Sequence, residues 1–129
     1  YRLEMGIKFG IDGKSDLYKF WDGRIADALA TDLAGHKVPV LINLASQEYA
    51  KAIAWDRLPG GVIDIEFKER KDGKLRFNSF AAKKMRGRMA RHICEQQIDT
   101  PEDLKAFDLD GYVFAPNLSD ERHYLFVKG

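Results

Sequence analysis

The sequence holds one cysteine, no internal repeat, no proline- or serine-rich linker and no long apolar run. The lone Cys94 excludes an internal disulfide and a zinc site of paired cysteines, and it favours a reducing cytoplasm. The longest apolar run, roughly 38 to 44, is far shorter than the ~20 residues that span a bilayer, so no membrane partner is expected. The start at Tyr1 rather than methionine suggests that a preceding segment is absent.

The composition and the apolar periodicity predict one α/β domain with a mixed sheet and packed helices. Hydrophobic residues make up 45% and charged residues 32%, an ordinary balance for a chain that buries a core. Helical spacing predicts a helix over about 17–33, capped by Ser15 and stopped at Gly35. A short helix capped by Ser46 is predicted over 47–53, and a long helix over 80–97. A further helix start is predicted at Thr100-Pro101.

Strands are predicted between these helices and at the end of the chain, giving the order β-α-β-α-β-β-α-α-β-β. The uncharged run 38–44 is typical of a central strand covered on both faces. Residues 62–68 alternate between apolar and charged side chains, which is the period of a half-exposed strand. Asp72-Gly73 predicts a hairpin turn into a partner strand over 75–79. The remaining predicted strands are 2–9, 112–114 and 124–127.

The long helix is expected to carry a basic face. At ~100° per residue, one side of this helix is apolar and the other is cationic. The apolar side holds Ala82, Met85, Met89 and Ile93, and the cationic side, called the basic face below, holds Lys83, Lys84, Gly87, Arg88 and Arg91. Seven basic residues and no acidic residue lie between Gly73 and Cys94, although the whole chain has a net charge of only +1. The basic face is therefore a candidate for binding phosphates, and Gly87 would allow a ligand to approach the backbone closely.

Alternative interpretations of the basic face stay open at this point. The face could simply be solvated, or it could be paired with the six acids of 95–110 if that segment folds back. Positive charge indicates a preference for anions but does not distinguish DNA from RNA, a nucleotide or an acidic protein.

A second candidate site lies where a buried strand is predicted to turn into a helix. Ligands of α/β sheets collect beyond the carboxyl ends of strands, where a helix N-terminus offers free N–H groups. The pocket would be lined by Asn43, Ser46, Glu48, Tyr49 and Lys51. If the protein is an enzyme acting on a nucleotide or another phosphorylated small molecule, Arg2, Glu4 and Lys83 would converge on the same pocket with Asn43 and Ser46. The alternative is that Ser46 only caps its helix and Asn43 only satisfies the turn. No catalytic, phosphate-loop or metal-binding signature is present, so neither a cofactor nor a metal is expected.

Six stretches in this order are together similar to the C-terminal half of the YaaA family of bacterial peroxide-stress proteins. They cover nearly the whole chain: Tyr1-Arg-Leu-Glu-Met-Gly6, Leu17-Tyr-Lys-Phe-Trp21, Leu41-Ile-Asn-Leu-Ala-Ser-Gln-Glu-Tyr49, Ser79-Phe-Ala-Ala-Lys-Lys-Met-Arg-Gly87 with Met89-Ala-Arg91, Pro101-Glu-Asp-Leu-Lys-Ala-Phe107, and Gly111-Tyr112.

The resemblance implies a cytoplasmic protein that protects against hydrogen peroxide by limiting intracellular iron and damage to DNA. It also implies binding of double-stranded DNA through a positively charged cleft with a helix-hairpin-helix element, part of which would lie in the half of the family's fold that this sequence lacks. No catalytic residue is implied. The leading hypothesis is a DNA-binding stress protein without catalysis in this segment. The alternatives are the enzyme described above and an interaction domain whose basic helix docks an acidic protein.

Overall fold

The computed structural model describes residues 5–6, 8–11, 13–37 and 39–129 of the chain. It divides into two compact units. The first comprises the described residues of Tyr1–Leu41 together with Ala45–Gly61, and the second comprises Ile42–Leu44 together with Val62–Gly129. Among the helices of the described residues, none combines the length and the apolar character needed to cross a membrane.

The first unit contains a small hairpin followed by helices. Strands β1 (Lys8–Ile11) and β2 (Lys14–Asp16) pair antiparallel, and the chain continues into α1 (Leu17–Trp21), α2 (Arg24–His36) and α3 (Gln47–Ala50). A single 3-10 turn, Trp55–Arg57, ends the unit, and the indole Nε1 of Trp55 donates to the carbonyl oxygen of Ala50 at 3.0 Å. The predicted strand over 2–9 falls partly outside the described residues.

The helix predicted over 17–33 is two helices, because the chain bends at Asp22 and Gly23. Asp22 has a positive φ of 31°. The guanidinium of Arg57, at the end of a flexible side chain, lies beside Gly23. The cap of α1 is Asp16 and not Ser15: its Oδ1 accepts from the amide of Lys19 at 2.9 Å.

The other predicted helix boundaries of this unit also need correction. Helix α2 runs through Gly35 and ends at His36, and its C-cap Lys37 is left-handed with φ 54°. Ser46 does precede α3, but its side chain makes no capping hydrogen bond. Helix α3 ends at Ala50 rather than at 53, since the chain leaves the helix before Trp55 closes the next turn.

The second unit is organised around a five-stranded sheet. Its strands are β3 (Val40–Asn43), β4 (Gly61–Lys71), β5 (Lys74–Arg76), β6 (Tyr112–Phe114) and β7 (His123–Lys128), of which only the first residues of β3 and β4 are counted with the first unit. The order is β3-β4-β7-β6, with β5 paired to β4. Strands β4 and β7 are parallel, whereas β6 runs antiparallel to β7. The mixed sheet with packed helices confirms the predicted fold class.

Two sheet predictions fare differently. The alternation over 62–68 is confirmed, because Ile63, Ile65 and Phe67 are buried on one face of β4. The run 38–44 was predicted as a central strand, but β3 is at one end of the described strand order and its side chains are only half-buried. The prediction of a central strand was therefore wrong. Apolar side chains indicate that the faces of a strand are covered, but they do not indicate whether other strands pair with both of its edges.

The hairpin between β4 and β5 forms where Asp72-Gly73 predicted it. Both residues have positive φ, 54° and 75°, as a tight two-residue hairpin turn requires. The partner strand stops at Arg76 rather than 79, because Asn78 caps the next helix: its Oδ1 accepts from the amide of Ala81 at 3.2 Å. That helix, α4 (Ser79–Glu95), matches the predicted long helix closely.

An aromatic cluster forms the core of the second unit. Phe67 stacks on Phe126 with ring centroids 5.4 Å apart, and Phe107 and Tyr112 meet Phe67 edge-on at 5.8 and 5.7 Å. Phe107 lies just after a 3-10 helix, Pro101–Ala106, where the sequence predicted a helix start. Helix α4 contributes Ala82, Met85 and Met89, each at most 2% exposed.

Candidate basic groove on helix α4

The packing of its apolar side sets the orientation of α4 about its own axis. Met85 and Met89 are buried, one turn apart, and the ring of His92 meets Phe107 edge-on at a centroid distance of 5.3 Å. Because residues three and four apart share a helix face, this packing turns the basic face toward solvent. Lys83, Lys84, Gly87, Arg88 and Arg91 are all exposed, as the amphipathic pattern predicts.

The basic face borders a surface groove of about 650 Å³, called the α4 groove below. Its lining comprises Lys84, Gly87, Arg88, Arg91, His92, Glu95, Gln96 and Leu109. Four of the five residues of the basic face therefore meet in one depression, and Lys83 lies outside its lining. A Cβ added at Gly87 would meet no atom within 4 Å, so the glycine leaves open space above the helix.

Two carboxylates compensate part of the positive charge of this groove. Asp110 Oδ2 lies 3.6 Å from Nζ of Lys84 and 3.4 Å from Nε of Arg88, and Nε of Arg91 donates to Oε1 of Glu95 at 2.7 Å. This hydrogen bond raises the pKa of Arg91 above its ordinary value. Although no acid lies between Gly73 and Cys94, Lys84, Arg88 and Arg91 are therefore each paired with a carboxylate.

Lys83 differs from the other three cations. Among the described residues it makes no ion pair. The alternative that acids of 95–110 pair with the face is confirmed for Asp110, which the chain folds back to α4, and for Glu95, which belongs to α4 itself and follows Arg91 by four residues. In the described part of the chain, four cations thus face two carboxylates, which leaves the basic face with an excess of two positive charges.

Asp110 reaches the basic face through an unusual backbone. It lies in the 3-10 turn Leu109–Gly111 and has φ 55°, and Gly111 follows with φ 81°. A non-glycine residue tolerates this left-handed region poorly, although aspartate and asparagine do so better than most. The turn places one carboxylate between two cations that are one helical turn apart.

Sequence reasoning missed several residues of the groove. His92 and Gln96 follow Arg88 at steps of four, so helical spacing alone could have added them. Leu109 is brought to α4 by tertiary folding, and no local pattern signals it. Arg86, set apart from the basic face by its position near the apolar side, has its pKa lowered by burial.

The second predicted pocket is only partly described. Arg2 and Glu4 lie outside the described residues. Asn43 belongs to the second unit, where its Nδ2 donates to Oδ1 of Asp64 at 2.8 Å. Ser46, Tyr49 and Lys51 belong to the first unit. The Oγ of Ser46 is buried and has no hydrogen-bond partner among the described residues, so it is not the satisfied cap that the simpler interpretation predicted. Convergence of these residues stays a prediction.

Comparison with known proteins identifies similar chains that are about twice as long. The family model described as peroxide stress protein YaaA matches residues 1–118. The UPF0246 protein of Dechloromonas aromatica is 45% identical over 126 residues, which are 98% of this chain and 49% of the relative. The UPF0246 protein of Caulobacter vibrioides is 47% identical over 99% of this chain and 50% of the relative. That of Clostridium perfringens is 46% identical over the same shares. The chain spans about half the length of the curated relatives it matches.

Proposed function

This chain belongs to the peroxide stress protein YaaA family, and from that premise we propose that the α4 groove binds the phosphate backbone of double-stranded DNA. The observation that carries the proposal is the groove itself, in which Lys84, Arg88 and Arg91 converge around an open glycine. Protection of DNA during peroxide stress, in the cytoplasm and with limitation of intracellular iron, is the proposed role of the whole protein.

The length of the basic face suits a polyanion. From Lys83 to Arg91 the helix rises about 12 Å at 1.5 Å per residue. Duplex DNA carries one negative charge per ~1.7 Å of its axis, so several phosphates fall within that length. A single phosphate would engage only one or two of these cations, whereas a polyanion can engage all of them.

The Asp110 carboxylate does not block such binding. Asp110 and its two cationic partners are all at least 40% exposed, and both ion-pair distances exceed 3.3 Å. Ion pairs of this kind contribute only about 0–1 kcal/mol. A phosphate that forms shorter charge-assisted hydrogen bonds can therefore displace the carboxylate.

The salt dependence of DNA affinity tests the proposal. With three or four phosphate contacts, the slope of log affinity against log salt is about −2.7 to −3.6 for a duplex, and affinity falls about 40- to 150-fold between 50 and 200 mM salt. Replacing Lys83, Lys84 or Arg88 singly by glutamine should make this slope less negative by about 0.9.

A matched control separates local contacts from net charge. Arg122→Gln removes the same charge from an exposed residue of the second unit that lies outside the groove, and it should leave the slope unchanged. A flat salt response of the unmodified chain, or equal effects of Arg122→Gln and Arg88→Gln, would contradict the proposal. An acidic protein would contact the same cations, so polyglutamate of matched charge serves as a competitor. If polyglutamate displaces DNA only at large excess, the result supports binding of nucleic acid rather than of an acidic protein.

A further inference from the structure

Two phenylalanines at the start of α4 are exposed to an unusual degree. Phe80 is 87% exposed and Phe77 is 64% exposed, whereas Phe67, Phe107 and Phe126 of the same unit are almost fully buried. Exposing a phenylalanine forgoes the stabilisation that burial of its ring would give. Exposed apolar surface that is rimmed by charged residues is typical of an interaction site.

Phe80 lies one helical turn before Lys84 on α4. Residues 80, 84 and 88 follow each other at steps of four, so Phe80, Lys84 and Arg88 share one face of α4 at intervals of about 6 Å. A strand whose phosphates contact Lys84 and Arg88 would therefore bring its next bases over the ring of Phe80.

The surroundings of these rings are basic. Lys74 and Arg76 lie on β5 directly before Phe77, and Lys83 follows Phe80 by three residues. Among the described residues none of these three cations makes an ion pair, and no acid occurs between Gly73 and Cys94. An apolar protein surface would desolvate these cations without compensation. A single nucleic-acid strand supplies flat bases for the rings and phosphates for the cations.

We infer that Phe80 and Phe77 form a stacking platform for unpaired bases, which extends the α4 groove from duplex backbone to single-stranded segments of nucleic acid. The inference rests on the proposed function, because Lys84 and Arg88 would hold the phosphates of the same strand. Stacking on an aromatic ring tolerates every base, so little sequence preference is expected. Paired bases are stacked inside the duplex, and the rings should therefore act on unpaired bases only.

Fluorescence anisotropy with a labelled 12-nucleotide single strand and a blunt duplex of the same sequence tests this inference. Phe80→Leu keeps an apolar side chain but removes the ring, and it should weaken single-strand binding about 5- to 150-fold while leaving duplex affinity within about twofold. Phe80→Tyr keeps the ring and should retain single-strand affinity. Phe77→Leu should have an effect of the same sign.

A control variant and a second measurement make the outcomes distinct. Leu118→Ala removes exposed apolar surface of the same unit away from α4 and should change neither affinity. Equal single-strand affinity of Phe80→Leu and the unmodified chain would overturn the inference and leave the duplex proposal standing. Binding of neither nucleic acid would overturn both. If Phe80→Leu changes only the oligomeric state in size-exclusion chromatography, the rings are a protein contact and the stacking platform is refuted.

Discussion

Replacing Asp110 by asparagine should strengthen DNA binding. Asp110 contributes one of the two carboxylates on the basic face and contacts both Lys84 and Arg88. Asparagine has the same size and also tolerates the positive φ of 55° at this position, so the turn should keep its geometry. The change leaves four cations facing Glu95 alone and raises the local excess of positive charge from two to three.

The size of the effect follows from the two ion pairs. Each exposed pair contributes about 0–1 kcal/mol, so loss of both should lower the free energy of unfolding by at most about 2 kcal/mol. A phosphate no longer has to displace the carboxylate, and repulsion between the two anions disappears. We expect a gain of about 1 kcal/mol in binding, which is about fivefold in affinity. The salt slope should steepen by up to about 0.9, because one carboxylate no longer takes up a cation when DNA binds.

Fluorescence anisotropy with a short duplex at several salt concentrations measures both quantities, and urea denaturation measures stability. Asp99→Asn is the matched control, because it gives the same net charge change at an exposed residue that makes no ion pair among the described residues. Unchanged affinity of Asp110→Asn would show that phosphates do not reach Lys84 and Arg88. An equal gain from Asp99→Asn would show that only net charge matters. Either result refutes the local argument.

Three further predictions concern the helix, the core and one tyrosine. Gly87→Ala should stabilise α4 by up to about 1 kcal/mol in thermal unfolding, since its Cβ meets no atom, yet weaken DNA binding, whereas Gly35→Ala in α2 should leave binding unchanged. Phe126→Ala should cost about 3–5 kcal/mol in urea denaturation, against less than about 1 kcal/mol for Val113→Ala, which is on an exposed position of β6. Burial, followed by the hydrogen bond to Glu69, raises the pKa of Tyr112 to about 12. Because the neutral phenol is favoured in the folded state, it contributes about 2–3 kcal/mol to the free energy of unfolding below pH ~10. This contribution should be lost as pH rises toward 12. Tyr112→Phe should remove that part of the pH dependence, and a difference absorbance titration against the unmodified chain would show a Tyr112 pKa near 10 if the reasoning is wrong.

The second unit shows how much short-range pattern can predict. Strand β4, the Asp72-Gly73 hairpin and helix α4 each depend on interactions between residues close in sequence, and each forms where the pattern placed it. The same holds for the basic face, because helical spacing alone separates Met85 and Met89 from Lys84 and Arg88.

The errors have a common origin in long-range contacts. At the bend between α1 and α2, the guanidinium of Arg57 lies beside Gly23, although the two residues are more than 30 apart in the sequence. Within the part of the chain that the structure describes, the position of β3 at one end of the sheet depends on which strands pair with β4. Neither partner is visible in a local window of sequence, so periodicity extended the first helix and placed the apolar strand centrally.

The sequence by itself determined that one helix would carry its cations on a single side, because an amphipathic pattern fixes which residues share a face. Only the tertiary structure decided how much of that charge remains available. Asp110 is 22 residues beyond Arg88, and it becomes a neighbour because the chain reverses and enters a left-handed turn. Electrostatic interaction depends on distance in space, which a pattern along the chain does not contain.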